Sequence, residues 1–103
     1  MAELDRVIHE PVRLRIMACL DALNPKEQVD FVYLRDLLAV TDGNLGAHLQ
    51  KLEEAGYISV KKRFVGRKPK TFISATTKGR AAFGEHVEAL RGIIEGGEAG
   101  GVS

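Results

Sequence analysis

The sequence has 103 residues, of which 45% are hydrophobic and 28% are charged, and these proportions are ordinary for one folded domain. No apolar run approaches the roughly 18 residues of a membrane-spanning helix. The N-terminal MAELDRV carries acids where a signal peptide has basic and then apolar residues, so we expect a soluble cytoplasmic protein. The single cysteine, Cys19, excludes an internal disulfide, and its apolar surroundings IMACL favour a buried thiol.

The net charge of +1 conceals an uneven distribution along the chain. Residues 1–30 hold four basic and six acidic side chains, residues 31–80 hold ten and four, and residues 81–103 hold one and four. The three segments therefore carry −2, +6 and −3. A basic middle between acidic ends indicates one face for a polyanion and other faces for different contacts.

The residue pattern in the first third of the chain predicts two helices and a short strand. Residues 3–9 have helical spacing of apolar side chains, at Leu4, Val7 and Ile8. Pro11 suits the first turn of a second helix, which we expect to run to about Leu23 and to end at residues 24–25, Asn-Pro. Residues 29–31 then predict a short edge strand.

The middle of the chain predicts two consecutive helices. The first is VYLRDLLAV (32–40), with a buried face of Leu34, Leu37 and Leu38. Thr41 or Asp42 caps the second, which has Leu45, Leu49 and Leu52 at core spacing. Ala55-Gly56 ends that helix, because Gly56 can adopt the left-handed conformation that follows many helices.

A β-hairpin and a long helix are predicted next. Tyr57 to Phe64 and Lys70 to Ala75 read as strands joined by a turn at residues 65–69. Thr76 or Thr77 caps a last helix whose apolar residues are spaced 4, 3 and 4, as in a coiled coil: Phe83, Val87, Leu90 and Ile94. We therefore expect an α+β, mostly helical domain over residues 1–95 and a flexible glycine-rich tail over residues 96–103.

The surface of the helix at 42–55 and the hairpin after it carry the predicted chemistry. Small residues allow a backbone to approach DNA, and amide, imidazole and ammonium groups can bond to bases or phosphates. On the helix these residues are Thr41, Asp42, Gly43, Asn44, Gly46, Ala47, His48, Gln50 and Lys51. Six of the ten residues 61–70 are basic and none is acidic; the set on the hairpin is Lys61, Lys62, Arg63, Arg67, Lys68, Lys70 and Thr71.

Each of these features also has a simpler interpretation. The helix face can be an ordinary solvated surface, and a run of charges is more often solvated than bound. Asp42 opposes phosphate binding unless it reads a cytosine or holds a neighbouring basic residue. The position of the basic run, directly after a helix with a small polar face, favours a nucleic-acid interface.

Residues 4–95 resemble the winged-helix transcriptional regulators of the MarR/ArsR superfamily, and most closely its compact stand-alone members. The residues that carry the resemblance are IHEPVRLRIMACL (8–20), the run from Phe31 through LRDLL to TDGNLGAHLQKLEEAGYI (41–58), and RKPKTFISATTKGRAAF (67–83). The resemblance implies a winged helix-turn-helix with a two- to three-stranded antiparallel wing. It also implies a homodimer on double-stranded DNA, with the helix at 42–55 of each copy in a major groove and the wing at 61–71 on the flanking minor groove or the backbone. We expect such a dimer to act as a repressor, because occlusion of a promoter needs only a dimer and its operator. It implies a dimer interface from the first and last helices, formed by Leu4, Val7, Ile8, Phe83, Val87, Leu90 and Ile94.

The sequence departs from the metal-sensing members of that superfamily. No cysteine lies in residues 31–39, and His86 has only Glu85 and Glu88 beside it, so we predict no metal and no cofactor. The alternative is a metal site that His86 and a glutamate share across a dimer. The short chain disfavours a large effector pocket, and any effector is unknown. The alternatives are a winged-helix module that binds proteins, for which a basic wing is not needed, and an enzyme, for which no nucleophile–base pair or phosphate loop is visible.

Overall fold

A computed structural model describes residues 3–102, and for residues 97–102 it describes the backbone alone. It contains four helices and one three-stranded antiparallel sheet, which confirms the predicted mostly helical α+β class. In chain order the elements are α1 (Pro11–Asp21), β1 (Val29–Asp30), α2 (Phe31–Leu38), α3 (Asp42–Glu54), β2 (Ile58–Val65), β3 (Lys68–Ala75) and α4 (Thr77–Val102).

The helix predicted at residues 3–9 is wrong, because this segment forms a single turn. The Asp5 carboxylate accepts hydrogen bonds from the N–H groups of Val7 (2.8 Å) and Ile8 (3.1 Å), and His9 N–H donates to the Asp5 carbonyl (2.7 Å). The residue before Pro11 is held in an extended conformation, so the turn cannot continue into α1. Seven residues are also too few for a helix that lacks strong tertiary support.

Local signals set the start and the end of α1. Pro11 lies in its first turn as predicted, and the Glu10 carboxylate accepts the N–H of Arg13 at 2.8 Å. The helix ends at Asp21, two residues before the predicted end. There the Arg80 guanidinium of α4 donates to the carbonyls of Asp21 (3.1 Å) and Leu20 (3.4 Å), a favourable place for a cation because helix carbonyls are unpaired at this end.

Helix α2 differs from the prediction in one apolar residue. Leu34 and Leu38 are buried, but Leu37 is 51% exposed. Leu34 and Leu38 are four residues apart and point the same way, whereas Leu37 lies on the flank of this short helix. Ala39 then adopts a left-handed conformation (φ 54°), which ends α2.

Helix α3 follows the prediction closely. The Thr41 hydroxyl accepts the N–H of Asn44 at 3.1 Å, so Thr41 is the capping residue. Leu45, Leu49 and Leu52 are buried against the core. The same core contains Ile16, Met17 and Leu20 of α1 and Ile58 and Ile73 of the sheet. Cys19, predicted to be buried, is half-buried at the edge of this core.

The sheet has the order β1-β3-β2, and the predicted edge strand is confirmed at residues 29–30, where Val29 pairs with Ile73. The hairpin turn is shorter than predicted, since Val65 pairs directly with Lys68. Only Gly66 and Arg67 form the turn. Gly66 has a φ of 65°, which glycine adopts at little cost and which two-residue hairpin turns require.

Helix α4 begins against the end of α3. The Thr76 hydroxyl accepts the N–H of Gly79 (2.9 Å) and donates to the carbonyl of Gly56 (2.6 Å), so the cap of α4 also holds the residue that follows α3. The backbone continues as helix through residues 96–102, where the sequence predicts a flexible tail; the mobility of that segment stays a prediction. Among the described helices, none combines the length and apolar character of a membrane span.

Candidate nucleic-acid interface

The outer face of α3 presents its predicted polar and small residues to solvent. Asn44, Ala47, Gln50 and Lys51 are exposed, as are Thr41, Asp42 and Gly43, while Gly46 is half-buried. Apart from the chain neighbours and the helix's own backbone, no described heavy atom would lie within 4 Å of a Cβ at Gly43 or Gly46, so neither glycine is required by internal packing. These small residues leave little side chain on the outer face of α3. A nucleic-acid backbone or base edge could therefore approach this face closely.

The acidic residue at the start of α3 is paired with a cation of α2 that no sequence pattern indicates. Arg35 of α2 donates to Asp42 at 2.8 Å and to Asp36 at 3.0 Å. The hydrogen bonds that Arg35 donates to Asp42 and then to Asp36 raise the pKa of Arg35. Asp42 therefore holds a neighbouring basic residue, which was one of two conditions under which it is compatible with phosphates.

His48 does not join the exposed face of α3. Its ring Nδ1 lies 3.1 Å from the Arg13 guanidinium and 3.4 Å from the Glu10 carboxylate, and its side chain is 17% exposed. Arg13 in turn donates through Nε to the carbonyl of Val7. His48 thus connects α3 to the N-terminal segment, and its predicted place among the DNA-facing side chains is not supported by its position.

The strand register divides the basic hairpin residues between two faces. Directly paired residues share a face, and successive residues alternate. Lys62 pairs with Thr71 on the face that continues from buried Ile58 and Ile73. The opposite face carries Lys61, Arg63, Lys68 and Lys70, and Arg67 lies in the turn.

The face with Lys62 borders an open groove between the hairpin and α3. The groove has a volume of about 370 Å³, and Lys62 and Thr71 line it opposite Gly46 and Gln50. Helix α3 and the hairpin therefore form the two sides of one concave surface. Glu53 lies at this groove and Gln50 donates to Glu54 at 3.2 Å, so the C-terminal end of α3 is acidic.

Arg63 is held more firmly than the other hairpin cations. Its guanidinium stacks 4.3 Å from the centre of the Phe72 ring and donates to the Gln28 amide oxygen at 3.2 Å. Planar stacking of this kind is typical of arginine. Arg63 therefore connects the hairpin to the loop before β1 and is less free than Arg67 or Lys68 to follow an external phosphate.

The residues predicted for a dimer interface are only partly at the surface. Ile8 is fully buried in the core of the single chain, so its inclusion in that interface is wrong. Leu4, Val7, Phe83, Val87 and Leu90 are half-buried, and Ile94 is 62% exposed. The adjacent side of α4, with Gly79, His86 and Ala89, packs against its own chain, and Phe83 also packs against the core.

His86 is the one buried polar residue found among the described side chains. Its Nδ1 accepts the N–H of Asp5 at 3.0 Å, and its Nε2 lies 3.4 Å from Nδ1 of His9. The Asp5 carboxylate also accepts the Tyr57 hydroxyl, and this bond raises the pKa of Tyr57 to about 12. Burial, and then the nearby His9, lower the pKa of His86, while Asp5 opposes them.

Acidification is expected to destabilise the fold through His86. The lowered pKa means that the unfolded chain binds a proton below about pH 6.5 before the folded chain does, so stability falls as the pH drops through that value. His86→Asn keeps an acceptor near the position of Nδ1 but does not titrate. The free energy of unfolding, measured with denaturant between about pH 5 and 7, should depend less steeply on pH in His86→Asn than in the wild type. The difference in slope should be up to about 1.4 kcal/mol per pH unit.

His9, Asp5, Tyr57 and Glu85 surround this group and are present in both proteins, so the two proteins differ in this cluster only at His86. An unchanged pH dependence in His86→Asn would contradict the expectation. In residues 3–96, no three His, Cys, Asp or Glu side chains cluster in a way that could hold a metal ion.

The family model described as winged helix DNA-binding domain matches residues 12–94. The chain belongs to this family. The expected resemblance to winged-helix transcriptional regulators is thereby confirmed, and such regulators are not enzymes.

The chain is also similar to individual proteins and solved structures. An uncharacterized protein of Methanocaldococcus jannaschii is 42% identical over 82 residues, which are 80% of this chain and 86% of the relative. The structure of a transcriptional regulator homologue from Pyrococcus horikoshii OT3 has a TM-score of 0.79 at 28% identity, covering 89% of this chain and 88% of that one. The transcriptional regulator BldR from Sulfolobus solfataricus has a TM-score of 0.66 at 25% identity, covering 82% and 57%.

Proposed function

We propose that the protein is a cytoplasmic homodimeric regulator that binds double-stranded DNA sequence-specifically and represses transcription by occluding a promoter. The observation that carries this proposal is the concave surface between the exposed face of α3 and the basic hairpin, with the only acid in the first turn of α3 held by Arg35. A duplex can lie against both sides of that surface at once.

In this proposal α3 enters the major groove and the hairpin is the wing. Gly43 and Ala47 let the helix approach closely, and Asn44 and Gln50 hydrogen-bond base edges. Lys51 and the wing residues Arg67 and Lys68 contact phosphates, which fix the register of the protein on the duplex without reading sequence. Gln50 must exchange its bond to Glu54 for the base contact.

The base-reading role of Asn44 and Gln50 is tested by competition between specific and random DNA. Asn44→Ala and Gln50→Ala should lower the ratio of specific to random affinity by about 5- to 150-fold, because a good contact to a base discriminates by roughly 1–3 kcal/mol. Lys51→Ala is the matched control and should weaken both affinities alike. Equal losses on specific and random DNA for Asn44→Ala and Gln50→Ala would remove these residues from base reading.

A dimer would cover the apolar side of α4 that its own chain leaves open. Val87 and Leu90 are half-buried and Ile94 is exposed, at the spacing of a helix-packing stripe. Two copies related by a twofold axis would bring two α3 helices to half-sites about one helical turn apart. Leu4 and Val7 lie in the N-terminal segment that His86 fixes to α4, so they would extend the same interface.

The dimer is tested by placing a charge on this stripe. Ile94→Asp should give monomers in sedimentation at micromolar concentration, because a carboxylate in an apolar interface is strongly unfavourable. Gly92→Asp is the control, since it adds the same charge on another side of α4, where nothing lies within 4 Å of a new Cβ. If Ile94→Asp remains dimeric, the interface lies elsewhere.

One observation favours the alternative, a winged helix that binds another protein. Val32, Tyr33 and Leu37 of α2 are each about half exposed, and Tyr33 and Leu37 are four residues apart, so these two share one side of the helix. This alternative predicts that the protein does not bind DNA at low salt. The binding assays described above test that outcome.

A further inference from the structure

An exposed aromatic residue stands beside the turn of the basic hairpin. Phe64 is 75% exposed, the largest exposure among the large hydrophobic residues of the described chain. It pairs with Pro69, so both lie on one face of the hairpin. Neither Phe64 nor Pro69 is among the hydrophobic side chains that form the core or pack against it.

This apolar pair, Phe64 and Pro69, lies on the side of the hairpin that faces α3. The register places it next to Lys62 and Thr71, which line the groove with α3. Val65 is also exposed but lies on the opposite face, with Lys68. An apolar ring is therefore presented on the same concave side that the proposed function assigns to DNA.

Cations surround the apolar pair on the hairpin. Lys62 precedes it on the same face, and Arg67 and Lys68 lie at the turn and on the opposite face. These positive charges attract phosphates to both faces of the hairpin. The Phe64 ring then lies near the attracted phosphate backbone. These cations favour a polyanion, duplex DNA, over another apolar surface as the occupant of this side.

We propose that Phe64, supported by Pro69, is a specificity-determining contact of the wing that fits the minor groove and rejects guanine. This inference rests on the proposed DNA binding. In the minor groove, A·T and T·A pairs present only acceptors, whereas G·C adds the N2 amino group of guanine. A phenyl ring packs against the groove wall and floor but has no acceptor for that amino group, which would lose its water without a replacement bond.

The test uses two short duplexes of the same sequence, one with guanine and one with inosine at every guanine position. Inosine keeps the major-groove edge of guanine and lacks only the N2 amino group, so the comparison isolates the minor groove. The wild-type protein should bind the inosine duplex about tenfold more tightly, the effect of leaving one polar group without a partner.

Phe64→Ala should abolish that preference and lower affinity for the inosine duplex about tenfold, the loss expected from one buried aromatic contact. Its salt dependence should stay unchanged, because no charge is removed. Val65→Ala is the matched control and should keep the preference. Both side chains are largely exposed, so neither substitution is expected to unfold the protein.

The outcomes separate this inference from the proposed function. Equal binding of the two duplexes by the wild type, or a preference that survives in Phe64→Ala, overturns the minor-groove role while DNA binding itself stands. Failure of the wild type to bind either duplex at low salt overturns both proposals.

Discussion

Replacement of Arg67 and Lys68 together by alanine is expected to weaken DNA binding by about thirtyfold at 0.15 M salt, on specific and random sequences alike. The value follows from two lost phosphate contacts, each of which releases about 0.9 counterions on binding. The slope of log affinity against log salt concentration should therefore become shallower by about 1.8. Affinity measured by fluorescence anisotropy over a range of salt concentrations gives both quantities.

A change of net charge alone must be separated from this local effect. Lys26 and Arg91 are exposed cations outside α3 and the hairpin, so Lys26→Ala with Arg91→Ala removes the same charge from other surfaces. This control pair should leave the salt slope within a few tenths of the wild-type value. Equal shifts for the two double variants would mean that the hairpin tip makes no direct phosphate contacts.

Gly79→Ala is expected to destabilise the fold by about 3 kcal/mol, which lowers the melting temperature by roughly 10–20 °C. A Cβ at this position would lie 2.0 Å from the carbonyl oxygen of Tyr57 and 2.8 Å from its carbonyl carbon. Both atoms belong to the backbone, so relief requires α4 to move away from the start of β2. Thermal unfolding followed by circular dichroism measures the change.

The matched control for this substitution lies on the same helix. Gly84→Ala meets no described atom within 4 Å, and alanine is favoured over glycine in a helix interior by about 1 kcal/mol. It should therefore stabilise the protein slightly. Stability in Gly79→Ala equal to that of Gly84→Ala would contradict the close packing of α4 on Tyr57.

Much of the element order could be predicted because its signals are local. Pro11 begins α1, Thr41 caps α3 and Gly56 follows it in a left-handed conformation (φ 79°), as the residue types indicate. The exception at residues 3–9 has a tertiary cause. Leu4, Val7 and Ile8 have helical spacing, yet Asp5 and Pro11 favour a turn whose contacts with His86 and Tyr57 supply its stability.

The candidate site could be predicted in outline but not in detail. The strand register decides which hairpin residues share a face. The turn predicted at residues 65–69 leaves that register open, whereas the observed two-residue turn at Gly66 and Arg67 sets it. Phe64 was consequently missed as part of the concave side. The pairing of His48 with Glu10 and Arg13 joins residues 35 or more positions apart, for which no periodic pattern gives a signal.

The role of Gly79 was also invisible in the sequence, where it reads as one more glycine in TTKGRAAF. Glycine is required at this position because the carbonyl of Tyr57, 22 residues earlier in the chain, leaves no space for a Cβ. The same is true of Arg35, whose partner Asp42 lies across the turn between two helices. Contacts of this type decide which charges remain free for DNA, and they emerge only from the packed structure.

Selection of bound duplexes from a random DNA library, followed by the salt dependence of the selected sequences, tests the central claim most directly. A sequence-specific dimer predicts an enriched inverted repeat with half-site centres about ten base pairs apart, bound with a steep salt slope. Binding with no sequence enriched over the starting library would contradict sequence-specific recognition by α3, and absence of binding at low salt would contradict DNA as the ligand.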